Sequence, residues 1–262
     1  MHTVRQPAVA GMFYPADRGT LERDVNALLD AARREVSNVP PPKALIAPHA
    51  GYIYSGSTAA LGYATLEPAR STITRVILLG PTHRVAVRGM ALPGASVFRT
   101  PLGDVGVEVP PELTHARMVV TSPDVHRLEH SLEVHVPFLQ AVLDKFTLVP
   151  LAVGEATASE VADVLDAVWG GPETLIVVSS DLSHYLDYES ARAADAATIE
   201  RILNLEGPID PHWACGGRPV SGLIEAARRH GLKPTLLGAC NSGDTAGDRR
   251  RVVGYATVAF HE

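Results

Sequence analysis

Apolar residues in this chain come in short runs that stop abruptly at polar groups, and amphipathic segments lie between the runs. Leu21, Val25, Leu28, Leu29 and Ala32 recur at helical spacing and end before Pro40–Pro42. "KALIA" (Lys43–Ala47) has the length and composition of a buried strand, and "STAALGYATLE" (Ser57–Glu67) follows it as a helix. "RVILLG" (Arg75–Gly80), "FTLVPLAVG" (Phe146–Gly154) and "TLIVVSS" (Thr174–Ser180) repeat the strand pattern. "TPLGDVGVEV" places a Pro/Gly turn before alternating Val105, Val107 and Val109, which predicts a hairpin or β-excursion. Leu128, Leu132, Val136, Leu139 and Leu143 predict a helix in which Pro137 makes a kink or a new first turn.

The second half continues in the same way. Thr157 and Glu160 stand three apart, a capping-box spacing at the head of the helical stretch to Trp169. Ser190–Asn204 and Pro219–Gly231 read as helices, the latter closed by Gly231, and Pro234–Ala239 and Val252–Phe260 as final strands. Buried strands alternating with helices predict an α/β fold, in one domain over residues 1–262.

Four of the apolar strands run straight into chemically competent groups. "ALIA" leads to His49, "VILLG" to His83, "LIVVSS" to Asp181 and His184, and "LLGAC" to Asn241, Ser242 and Asp244. Ligands of open α/β sheets bind beyond the carboxyl ends of strands, so these groups are expected to converge. Two neutral imidazoles and a carboxylate would form a facial triad suited to non-haem Fe(II), and the same set could hold zinc. A further histidine in reach would move protons near neutral pH.

The stretch "HRLEHSLEVHVPFLQ" is the other dense one. It lacks the HExxH spacing of a zinc-protease helix. His126 and His135 read as members of a solvated face, whereas His130 and Glu133 are candidates to line a pocket, as are Tyr52 and Tyr54. Cys215 precedes a helix whose N-terminus could lower its pKa, although a packed thiol is the simpler reading. Ser180, Asp181 and His184 crowd one loop without a GxSxG elbow, which argues against a serine hydrolase.

Composition narrows the possibilities. Hydrophobic residues make up 46% of 262, charged residues 20%, and the formal net charge is −6 with no basic block, which disfavours nucleic acid as a partner. No apolar stretch approaches a membrane span, and no signal-peptide pattern opens the chain. With only Cys215 and Cys240, and no CxxC pair, a cytoplasmic location is expected.

Taken together, "PAVAGMFYP", "APHAGYIYSG", "GPTH", "TPLG", "EHSLEVHVPFLQ", "SSDLSH" and "NSGD…VVGYA" resemble the MEMO family, whose bacterial and archaeal members are called AmmeMemoRadiSam system protein B. The resemblance spans Pro7 to Phe260. It implies a fold like that of class III extradiol dioxygenases of the LigB type: a single three-layer domain with a mostly parallel or mixed central sheet flanked by helices. It further implies that His49 and His83 are metal ligands and that His184 acts as acid/base, with Asp181 in the same motif. For the third ligand, animal members resemble a His, His, Cys site and the dioxygenases a His, His, Glu site. Asp244 is preferred here because a carboxylate restores the dioxygenase-like set, and Cys240 is the alternative. The expected cofactor is a divalent or redox metal, Fe(II) ahead of copper or zinc, and the expected role a dioxygenase-like redox enzyme acting on a small molecule. The alternative is a non-catalytic module that binds a metal, a peptide or a partner protein.

Overall fold

The computed structural model describes residues 3–262. Its strands are β1 (Val4–Arg5), β2 (Ala44–Ala47), β3 (Arg75–Pro81), β4 (Met90–Leu92), β5 (Val97–Thr100), β6 (Gly103–Val107), β7 (Val119–Thr121), β8 (Thr147–Val153), β9 (Thr174–Ser179), β10 (His184–Leu186), β11 (Lys233–Asn241) and β12 (Val252–His261). Its helices are α1 (Arg18–Glu35), α2 (Tyr52–Ala64), α3 (Pro111–Thr114), α4 (Pro123–Arg127), α5 (Val136–Val142), α6 (Ala158–Ala167), α7 (Tyr188–Leu203) and α8 (Gly217–His230).

All twelve strands join one mixed sheet, whose main path runs β1-β5-β6-β8-β3-β9-β2-β12-β10. At its centre β8, β3, β9 and β2 lie parallel, and β12 pairs antiparallel with β2. The interior positions of these central strands are apolar because helices cover both of their faces. Alternate residues divide cleanly between the two sides. Leu45, Val76, Leu78 and Val177 pack with Leu21 and Leu29 of α1, Ala60 of α2 and Phe138 of α5. Ile46, Ile77, Leu79 and Val178 pack with Val161 of α6, Ile199 of α7 and Leu223 of α8. The result is the α/β class expected from the alternation, in the three-layer arrangement that the family resemblance implies.

Local signals hold where the local chemistry is self-contained. Thr157 and Glu160 form a reciprocal capping box on α6. Gly231 closes α8 in the left-handed region, with φ of 72°. The hairpin is β5 against β6, with Thr100 opposite Gly103. Pro137 lies in the first turn of α5.

Three expectations fail. Helix α2 begins at Tyr52, five residues before Ser57, so both tyrosines of the turn are helical. The continuous helix over 128–143 does not form: α4 stops at Arg127, and an irregular segment intervenes before a 3-10 turn at Glu133–His135. The cause is competition for the backbone. Arg5 donates to the carbonyls of His126 and Glu129, and the Glu129 carboxylate accepts from the amides of His130 (2.9 Å) and Ser131 (3.0 Å). Groups needed for a helical ladder are thereby satisfied elsewhere. His126 and His135, expected on a solvated face, are buried; they pair with the Ala91 carbonyl (2.6 Å) and the Tyr63 hydroxyl (2.7 Å). No helix among the described residues is long and apolar enough to cross a membrane.

Candidate metal centre

The order β3-β9-β2 sets the site. His49 follows β2 and His83 follows β3, one strand to either side of β9. Strands two apart are separated by about 10 Å, so two inward-leaning imidazoles meet above the end of β9. Their ring centroids lie 5.2 Å apart. The irregular segment after α4 lays His130 over both, with centroids 5.4 Å from His49 and 4.6 Å from His83. Gly80 allows this approach, since a Cβ there would stand 2.9 Å from Leu132 and Ser131 side-chain atoms. One ligand atom from each of His49, His83 and His130 falls within 4.8 Å of the others.

The hydrogen bonds define which nitrogens are free. Ser179 donates its hydroxyl to the Ser131 carbonyl (2.6 Å), so its oxygen accepts from Nδ1 of His49 (2.6 Å). Nδ1 of His83 faces Oε1 of Glu129 (2.9 Å), a carboxylate oxygen that can only accept. Nδ1 of His130 lies 3.3 Å from the same oxygen. Nε2 of His83 and of His130 has no hydrogen-bond partner among the described residues, and Nε2 of His49 meets only the Cys215 thiol (3.3 Å), an arrangement in which a partner behind a histidine orients it toward a metal. Burial pushes the Glu129 carboxyl up, but the bonds from His83 and Ser131 outweigh it and hold the group at about 2. Burial, reinforced by neighbouring histidines, keeps His49 well below its ordinary value. Burial also lowers His130 to about 4, against the pull of Glu129. Neutral imidazoles are the form that binds metals.

Asp181 closes the site from β9. Its Oδ1 accepts from the His49 amide (2.7 Å), and its Oδ2 lies 4.0 Å from His49 Nε2. Burial raises its carboxyl to about 7, against hydrogen bonds from the His49 and Ala50 amides. A cation beside it would favour the carboxylate. His184 donates Nδ1–H to the Leu182 carbonyl (2.8 Å), leaving Nε2 as a base. Burial lowers its pKa, despite that bond. The next residue, Tyr185, holds a φ of 64°, uncommon for a bulky side chain.

His130, Asp181 and His184 line one cavity of about 420 Å³, whose walls include Phe13, Tyr54, Tyr185 and Tyr255. Tyr54 therefore faces the cavity. Tyr52 is buried instead, donating to the Val134 carbonyl (2.6 Å) and packing on Phe138. Glu133, a candidate for the pocket wall, is fully buried elsewhere. It pairs with Arg5 and accepts from the Ala8 and Val9 amides and the Tyr14 hydroxyl (2.5 Å).

Neither expected third ligand reaches the histidines. Asp244 turns back on its own 3-10 turn in a capping box with Asn241, accepting from the Asn241 amide (3.0 Å) and the Tyr188 hydroxyl (2.5 Å). Cys240 meets Thr58 (3.0 Å). Both line a different cavity, with Arg192, Asp195 and Leu236. The third imidazole, His130, stands where a carboxylate was expected, and the thiol that meets the cluster is Cys215, with Sγ 3.3 Å from His49 Nε2. Burial, followed by the charge of Asp181, pushes that thiol up, so the start of α8 does not activate it. Ser180 is engaged with the Asp181 carbonyl (2.8 Å) and the Gly216 amide (3.0 Å), which leaves no serine relay to His184.

Sequence reasoning missed Glu129, Ser179 and Cys215 as neighbours of the histidine cluster. The capping-box spacing of Asn241 and Asp244 was a usable sign that Asp244 is spent locally.

Comparison with known proteins agrees with this architecture. A family model described as Memo-like protein matches residues 5–259. The chain is 36% identical to a MEMO1 family protein of Methanosarcina acetivorans over 273 residues, covering 97% of this chain and 98% of that one. It is 36% identical to one of Archaeoglobus fulgidus over 277 residues, covering 98% and 99%. A Nitrosopumilus maritimus protein of the same description is 31% identical, with 98% and 99% covered. A full-length match of this kind, with His49 and His83 brought together from the strand ends that carry its motifs, establishes that the chain belongs to the MEMO family.

Proposed function

We propose that this protein binds a divalent transition-metal ion through Nε2 of His49, His83 and His130 and acts as a metal-dependent oxidoreductase of the extradiol dioxygenase type. The observation that carries the reading is the convergence of three imidazoles, each bringing one ring nitrogen within 4.8 Å of the others, with Nδ1 of His49 and of His83 held by fixed partners. An imidazole-rich set of this kind suits iron, copper or zinc. Fe(II) or copper would supply the redox step when bound.

The chain's own residues supply the rest. Glu129 and Ser179 hold the imidazoles in their binding orientation. Phe13, packed 4.8 Å from the His130 ring, and the other aromatic walls exclude water and offer flat surfaces to a planar substrate. His184 takes a proton from substrate at Nε2, and Asp181 holds or releases one beside the metal position.

The test begins with protein stripped by chelator and titrated anaerobically with Fe(II), Cu and Zn. Wild type is expected to take one equivalent. His49→Ala and His83→Ala should take none while remaining folded, and Glu129→Gln should bind about 10–100-fold more weakly. Oxygen uptake by the reloaded protein with a panel of catechols then tests catalysis. Full metal content in both histidine variants would reject the centre. Tight binding with no turnover on any oxidisable substrate would favour the metal-binding module over the enzyme.

A further inference from the structure

His83 does not line the cavity of His130 and His184 but opens on another. The latter, of about 600 Å³, is lined by Thr82, Arg84, Arg88, Glu155 and Arg218, together with the backbone of the loop after β3. In a chain of net charge −6, three exposed arginines line this one cavity with a single acidic residue, and Glu160 lies close enough to Arg88 to feel its charge. The three arginine side chains make no hydrogen bond or ion pair among the described residues. Several arginines elsewhere are engaged, Arg33 with Asp30 and Glu67, Arg75 with Glu108, Arg229 with Asp163, Asp166 and Glu225, and unpaired ones such as Arg34 and Arg117 do not line this cavity.

The wall that presents them is fixed in place. Thr82 donates to the Val153 carbonyl (3.1 Å), Glu155 to Val87 (2.8 Å), Gly89 to Glu155 (2.8 Å) and Gly154 to Gly89 (2.9 Å). Gly89 has φ of 79°, and a Cβ on Gly154 would stand 2.0 Å from the Val87 carbonyl oxygen, so this stapling requires both glycines. Arg218 enters from the first turn of α8, a helix of fourteen residues whose positive end adds to the same field. Convergent arginines on a preformed wall recognise carboxylate or phosphate, often by paired hydrogen bonds.

The geometry points to an anion-binding subsite at Arg84, Arg88 and Arg218, which takes a carboxylate or phosphate group of the substrate and brings the remainder of the molecule past His83 to the histidine centre. As a subsite of a substrate this rests on the proposed metal centre; as an anion site it stands without it.

The experiment separates the two. Chelator-treated, metal-free protein is titrated calorimetrically with inorganic phosphate and, separately, with malonate, at low and at moderate salt. Saturable one-to-one binding that weakens with salt is expected, with the tighter of the two probes identifying the group as phosphate or carboxylate. Arg84→Ala/Arg218→Ala should weaken it at least tenfold. Arg34→Ala/Arg117→Ala, which removes as much charge from other surfaces, should leave it within twofold. His49→Ala, which removes the metal centre, should also leave it within twofold. Absence of saturable binding, equal loss in the control pair, or loss in His49→Ala would each overturn the proposal. A wild type that binds the anion but no metal would instead reject the metal centre and retain the anion site.

Discussion

At the scale of single residues the decisive comparison is between two cysteines. Cys215 lies 3.3 Å from His49 Nε2, while Cys240 faces Thr58 in another cavity. A cation at the histidines would displace the Cys215 proton and draw the thiolate in, as metals do to neighbouring thiols. Protein loaded with Co(II) is therefore expected to show a thiolate charge-transfer band that disappears in Cys215→Ser and persists in Cys240→Ser. Asp244→Asn should keep a full equivalent of metal. A band that follows Cys240, or metal lost with Asp244, would contradict the geometry. The spacing along the chain could not make this choice. Cys240 and Asp244 sit at a strand end like His49 and His83, but β11 lies at the far side of β12 from β2.

At the scale of elements, the segment 128–135 carries the site because it is not helical. Arg5 and Glu133 form a fully buried pair that ties the first strand to this segment, and Glu133 also accepts from Ala8, Val9 and Tyr14. Removing one member leaves a buried charge unpaired, at a cost of about 3–5 kcal/mol. Glu133→Leu is expected to lower the urea midpoint accordingly and to speed amide exchange over residues 3–14 and 128–135 together. Because Phe13 packs on His130, its metal affinity should fall as well. Unchanged exchange in the N-terminal stretch would show that the pair does not organise the segment.

At the scale of the whole molecule, buried histidines make stability depend on pH. Burial outweighs the hydrogen bond to Ala91 and lowers His126 to about 4. Because that lies below the ordinary value of about 6.5, the unfolded chain takes up the proton first as pH falls. The stability is thus complete above about 6.5 and is lost progressively down to about 4, amounting to about 2 kcal/mol at pH 5. Asp181, raised to about 7, acts with the opposite sign in the same window, since its protonated form is favoured in the folded state. The check is consequently a difference. Between pH 7 and pH 5, His126→Gln should lose about 2 kcal/mol less stability than wild type by urea unfolding, and equal losses would refute the assignment.

The alternation of apolar runs and amphipathic helices determined the α/β class and the strand ends at which chemistry would sit, while the three layers were implied only by the family resemblance. Those signals are local: a strand buried on both faces must be apolar, and a cap or a closing glycine acts within a few residues. His49, His83, Asp181 and His184 were legible for that reason. Strand order was not written in any single segment, and it is the placement of β9 between β2 and β3 that brings His49 and His83 together. The periodicity at 128–143 predicted a helix because it records only which residues are apolar. Arg5, more than a hundred positions away, and the Glu129 side chain took the backbone groups that helix needed. Only the tertiary structure could decide that His130 joins the cluster, that Cys215 is the neighbouring thiol, and that Asp244 satisfies its own turn, because each depends on partners distant in sequence competing for the same hydrogen bonds.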